Sequence, residues 1–192
     1  MWRGFFGPAV VFCVSFGLRT TALAAPPKEF HVSSTSVTME HVTIETSTSY
    51  PLAKLRLEAE VKRLDESYRA LLKENRIDEL RQKLTQGQEP DGLMIHYVAV
   101  HGDWLALEGG HRPGIVYHIG NILAAVQMTK LNFGAALYAP LRLDVYENAQ
   151  GGTTFEYDKP STQFGQFHNA AIDKVAQSLD DRLFRLIKKV SS

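Results

Sequence analysis

Leu141, Leu143 and Val145 alternate with Arg142, Asp144 and Tyr146, and beyond Asn148 to Gly152 the residues Phe155 and Tyr157 alternate with Thr154 and Glu156. A two-residue period on both sides of an Asn- and Gly-bearing stretch predicts a β-hairpin. Parity places Leu143, Val145, Phe155 and Tyr157 on one buried face. For the register, Arg142 opposite Glu156 is favoured over Asp144 opposite Glu156, because like charges facing each other destabilise a pair. Val37 to Glu45, with Val42 and Ile44 alternating against Thr43 and Glu45, reads as a first strand. Leu93 to Val100 is apolar on both faces and reads as a central strand. Ile115 to Ile119 is a further strand.

Helical spacing appears elsewhere. After Pro51, Leu57, Val61, Leu64, Tyr68 and Leu71 recur among charged residues, and the phase slips at Asn75. Two helices are expected, about 51–74 and 77–86, with a loop across 86–92. Asn121 is a good N-cap for a short apolar helix from Ile122 to Thr129, followed by a loop over 131–140 hinged on Gly134. A last helix over about 166–190 carries a stripe of Ile172, Val175, Leu179, Leu183, Leu186 and Val190, with Asp173 early and Lys188 and Lys189 late, as the helix dipole favours. These elements make an α+β domain: a small, mostly antiparallel sheet of about five strands, a long N-terminal helical segment, a short middle helix and a C-terminal helix packed on it.

The first residues change the picture of where this domain starts. A short basic start at Arg3, an apolar run from Gly4 to Leu18 and the small-x-small pattern Ala22-Leu23-Ala24 form a signal peptide, residues 1–24, cleaved after Ala24. The run is shorter than the roughly 20 apolar residues of a membrane span, and retention as an anchor is the rival reading. Residues 25–36 read as a flexible linker and 37–192 as a single domain. Export to the periplasm or the extracellular space follows, with no stable membrane span after cleavage. The chain has a single cysteine, Cys13, which departs with the leader, so no disulfide, thiol nucleophile or thiolate metal site remains. The 21 basic and 21 acidic residues balance, and no basic block is present, which argues against nucleic acid as a partner.

Several groups carry candidate chemistry. The Gly120-Asn121 turn offers backbone N–H groups to an anion, beside the plainer role of Asn121 as a cap. His101, at the end of a strand against Gly102, is the leading residue for a metal or haem, with His118 and Met128 as further donors; no Cys-x-x-Cys-His or His-Glu-x-x-His is present. Asp158, Ser161 and His101 form a nominal hydrolase set without a Gly-x-Ser-x-Gly elbow, and Ser161 or Thr162 reads more simply as a cap after Pro160. Tyr138 in the loop forms a group with Tyr146, Tyr157 and Arg142 of the hairpin; a buried Tyr157 hydroxyl needs a partner, and Arg142 points away from the core, toward Glu156 or an anion.

An ordered set of motifs resembles a known family. Tyr117 to Asn121 as Tyr-x-Ile-Gly-Asn, a short helix with Met128, Leu137-Tyr138-Ala139-Pro140-Leu141-Arg142, Val145-Tyr146-Glu147, Gly151-Gly152, Tyr157-Asp158-Lys159-Pro160-Ser161 and Leu179-Asp180 resemble the bacterial and archaeal family called domain of unknown function three-hundred-and-two. His101-Gly102 before Trp104-Leu105 is similar to its longer, exported branch, and the resemblance covers about 42–188. Ile122 departs from the proline usual after Gly-Asn, which loosens that first turn. The resemblance implies an α+β domain with a small mixed sheet, allows a homodimer and brings no activity or cofactor. The functional expectation is a non-enzymatic module for an unidentified small molecule or partner protein, lined by His101, Asn121, Met128, Tyr138, Arg142 and Tyr157. Metal or haem binding through His101 is the alternative, and hydrolysis by Ser161 the third.

Overall fold

The computed structural model describes residues 30–87 and 92–192. The signal peptide expected over 1–24, the start of the linker and most of the loop expected over 86–92 lie outside them. Residues 30–35 belong to a unit of their own and carry no helix or strand. The remainder, Ser36–Ser192, is built as follows.

Five strands form one antiparallel sheet: β1 (His41–Thr46), β2 (Met94–Ala99), β3 (Gly114–Gly120), β4 (Leu141–Glu147) and β5 (Thr153–Asp158), in the spatial order β1-β5-β4-β3-β2. Ile115, Tyr117, Ile119, Leu143, Val145 and Phe155 are buried on one face, as the alternation in β3 to β5 requires. Helix α1 (Tyr50–Glu60) buries Ala53 and Leu57, and α7 (Ala170–Val190) buries Ile172, Ala176, Leu179, Leu183, Leu186 and Ile187 in the same cluster. The α+β class and the hairpin face are as the sequence implies.

Four expectations need correction. The strand at 93–100 is an edge, not a centre. Its apolar look comes from a register slip against β3 between Ile95 and Tyr97, which leaves Met94 and Ile95 both buried while Tyr97 is exposed. Second, the helix expected over 51–74 breaks. Val61 turns extended, and the backbone of Lys62 and Leu64 hydrogen-bonds Ile95, covering part of the β2 edge. The helix resumes as α2 (Ser67–Lys73), and left-handed Asn75 precedes α3 (Ile77–Gly87), where the phase slip lies. Third, the C-terminal helix starts at Ala170, not Gln166, because His168 is left-handed and Asn169 Oδ1 caps Ala171 and Ile172 N–H.

The fourth correction is the hairpin register: Asp144, not Arg142, faces Glu156. The loop decides it. Asn148 N–H donates to Gly152 O, while Asn148 Oδ1 accepts from Gln150 and Gly152 N–H, and this closed turn leaves no room for a two-residue slide. Glu156 is then satisfied elsewhere, by the Tyr146 hydroxyl at 2.7 Å and by His41 of β1 at 3.6 Å. Arg142 instead faces His118.

Candidate functional site

Strand β3 ends at Gly120, and Asn121 starts α5 (Ile122–Thr129) by accepting Ala124 N–H on Oδ1 at 2.8 Å. Its Nδ2 donates to Gly92 O at 2.6 Å, so one side chain ties the helix start to the approach to β2. The 131–140 loop contains a 3-10 turn, Phe133–Tyr138, and reaches β4 through a cis Ala139–Pro140 peptide. A Cβ on Gly120 would stand 3.3 Å from Pro140 Cβ, so glycine is what lets Pro140 lie against the strand end.

Two pockets share the Ala139–Pro140 wall. The first, about 200 Å³, is mostly apolar, with Ile122, Met128, Leu141 and Phe164 among its walls and His96, Asn121 and Thr129 as its polar members. The second, about 370 Å³, is lined by His118, Leu137, Tyr138, Arg142 and Gln163. Tyr138 is braced there: its hydroxyl donates to Gln166 Oε1 at 3.3 Å and its ring meets Phe164 and Phe167 edge-on. His118 packs edge-on against Tyr97 with centroids 5.5 Å apart.

The six residues singled out from the sequence therefore divide. Asn121 and Met128 share the apolar pocket, and Tyr138 and Arg142 share its neighbour. Tyr157 is buried in the core cluster; burial first, then Asp180, raises the pKa of its hydroxyl. His101 is exposed at the start of α4 (His101–Trp104), in a separate depression with Arg112, Asp144, Tyr146 and Glu156. In that depression burial, reinforced by Glu156, holds the Asp144 carboxyl above the usual carboxylate range. Among the described residues no group of three or more His, Cys, Asp or Glu converges as a metal site. The nominal hydrolase set is not assembled: Asp158 hydrogen-bonds His41 rather than His101, and Ser161 lies in α6 (Pro160–Phe164) with its N–H on Asp180 Oδ1. Neither Ser161 nor Thr162 caps that helix; Lys159 holds the N-cap position.

Two site residues escaped the sequence reading. Gln163 sits in a short helix with no periodicity to announce it. His96 lies beside the β2 register slip, where strand parity fails. Its Nε2 is buried without a hydrogen-bond partner. Burial holds the ring's pKa below the ordinary histidine value, His118 adds to this and the Gly120 backbone opposes it.

That shift has a stability consequence. The folded state resists protonating His96 more than the unfolded chain does, so its contribution is complete above the unfolded pKa of about 6.5 and is lost as pH falls below it. His41 acts in the opposite sense: hydrogen bonding to Asp158 raises its folded pKa, so its contribution is present below about 6.5 and fades as pH rises. The exposure of His41 keeps that term small. Urea denaturation of wild type and His96→Gln between pH 7.5 and 5 separates them. The wild type is expected to lose stability on acidification relative to the variant; parallel pH profiles would contradict the assignment.

The model for the Domain of unknown function DUF302 matches residues 69–190. The chain belongs to this family. The match runs from α2 into α7 and so includes both pockets, whereas β1 and α1 precede it. Another DUF302 fold is similar: the crystal structure of an uncharacterized conserved protein DUF302 from Bacillus stearothermophilus, 18% identical, with a TM-score of 0.55 over 78% of this chain and 97% of that one. At that identity the likeness concerns the DUF302 fold alone. No curated protein matches the chain.

Proposed function

We propose that this DUF302 protein is an exported, non-enzymatic binding domain whose apolar pocket holds a small, mostly apolar molecule. One observation carries the reading: a pocket of about 200 Å³ at the end of the sheet, apolar in its walls, with His96 and Asn121 at its polar side. Apolar cavities of roughly 150 Å³ take benzene-sized molecules, so the size suits a ligand on the order of ten non-hydrogen atoms. His96, kept neutral by burial, suits an uncharged polar group on that ligand. The scattered positions of Ser161, His101 and Asp158 favour binding over hydrolysis.

Indole is a suitable probe, read by NMR at the Met128 methyl. Saturable shifts with a dissociation constant on the order of 1 mM, about −4 kcal/mol, are expected in the wild type. Ala125→Phe, which projects bulk from α5 into the pocket, is expected to abolish them while leaving the circular dichroism unchanged. Absence of saturable shifts in the wild type would overturn the reading. Export rests on the leader pattern. Protein recovered from the periplasm of an expressing bacterium is expected to begin at Ala25, and full-length chain confined to the cytosol would contradict it.

A further inference from the structure

We infer that the neighbouring pocket is a separate site for a monoanionic carboxylate, held by Arg142, His118 and Gln163. Gln163 is 6% exposed. Little of this side chain is open to water, so the part that is open is set by the pocket it borders. The backbone N–H and C=O of Gln163 are engaged, by Lys159 O and Gln166 Nε2, while its side-chain amide has no hydrogen-bond partner among the described residues and meets solvent only where it lines this pocket. Arg142 lies in the same pocket and is equally underused. Among the described residues its guanidinium has no hydrogen-bond partner, and Asp158 Oδ2 stands 3.9 Å from it. The other oxygen of Asp158 is committed to His41 Nδ1 at 3.0 Å. His118 stands directly across the β3–β4 ladder from Arg142, its ring fixed by Tyr97.

Three sets of donors therefore face one cavity: a planar guanidinium fork, an imidazole and an amide. The fork matches a carboxylate in two parallel hydrogen bonds. Charge selects a monoanion. Among the described residues Arg142 is the one permanent cation lining the pocket, and Asp158 already offsets part of it, so a phosphate dianion would meet a nearby carboxylate with no second cation among those residues to balance it. Leu137 and Tyr138 on the wall leave room for a small apolar or aromatic body behind the carboxylate. The floor does not need to form on binding, because Tyr138 is already braced by Gln166, Phe164 and Phe167.

Benzoate, its neutral isostere benzamide, and inorganic phosphate test the site, with the side-chain amide of Gln163 read by NMR. Benzoate is expected to shift that amide saturably and at least tenfold more tightly than benzamide or phosphate. Arg142→Gln is expected to weaken benzoate at least tenfold with an unchanged thermal midpoint, since the side chain is 67% exposed. Gln163→Leu, followed through the Arg142 side chain, should weaken it by a smaller factor. Ala125→Phe blocks the apolar pocket and is expected to leave benzoate binding intact, so failure of one site is not mistaken for failure of the other. Equal affinities for benzoate and benzamide, or no change in Arg142→Gln, would overturn the site. Phosphate binding more tightly than benzoate would overturn its charge class, and loss of benzoate in Ala125→Phe would overturn its independence.

Discussion

Phe155→Ala is expected to cost about 4 kcal/mol of folding stability. Phe155 is fully buried, and on the sheet it lies between Ile44 of β1 and Val145 of β4. Truncation removes the transfer free energy of a phenyl ring and leaves a cavity in the middle strand of a three-strand set. The backbone ladders on both sides hold β5 in place, which limits the collapse that would soften the loss. For a domain of this length the loss corresponds to a thermal midpoint lower by roughly 8–16 °C. Urea denaturation checks it, with an unchanged slope indicating that the transition itself is intact. A loss below about 1 kcal/mol would mean that Phe155 does not occupy the core position described.

Phe155 was readable from the sequence because alternation is a local property. Each of β3, β4 and β5 carries its own two-residue period, and parity alone identifies the buried face. Asn121 was readable for a similar reason, since its chemistry acts on Ala124 N–H three residues away. The errors arise where a partner is distant in the chain. Cross-strand charge rules favour Arg142 opposite Glu156, because Asp144 in that place opposes like charges. In the fold His41, more than a hundred residues earlier, reaches it across β1, and Tyr146 reaches it diagonally. The strand at 93–100 looked central because its first residues are sheltered by the register slip and by the backbone of 62–64, which the helical spacing of Leu57, Val61 and Leu64 had hidden inside a continuous helix.

The pockets were only half legible for the same reason. Asn121, Met128, Tyr138 and Arg142 belong to motifs that flank Ala139–Pro140, and they do line the two cavities there. His96 reaches the site because β2 pairs with β3, and Gln163 because α6 brings it to the pocket that Tyr138 and Arg142 line. His101 sits beside the other end of β3, near Gly114, so its suggestive position at a strand end was real while its association with the others was not.

Gly152→Ala is expected to destabilise the domain by about 3 kcal/mol, for a reason distinct from backbone torsion. The new Cβ would stand 2.0 Å from Thr46 O, with Thr46 C and Asn148 Nδ2 each at 3.1 Å. Thr46 is backbone, so no rotamer change relieves the contact and either β1 or the hairpin turn must move. That is the point where β1 is fastened to the hairpin: Thr46 pairs with Thr153, and Thr153 Oγ1 donates to Thr48 O at 2.7 Å. Two other glycines calibrate the effect. Gly151 has nothing within 4 Å but a φ of 78°, so alanine there costs on the order of 1 kcal/mol through torsion alone. Gly165 has neither constraint, and alanine is expected to be neutral or slightly stabilising. Urea denaturation should rank the three losses Gly152, Gly151, Gly165, and hydrogen exchange in Gly152→Ala should rise first over 41–46, the strand that loses its fastening. If Gly152→Ala proves as mild as Gly165→Ala, β1 does not approach the turn this closely, and the pairing of Thr46 with Thr153 is looser than described.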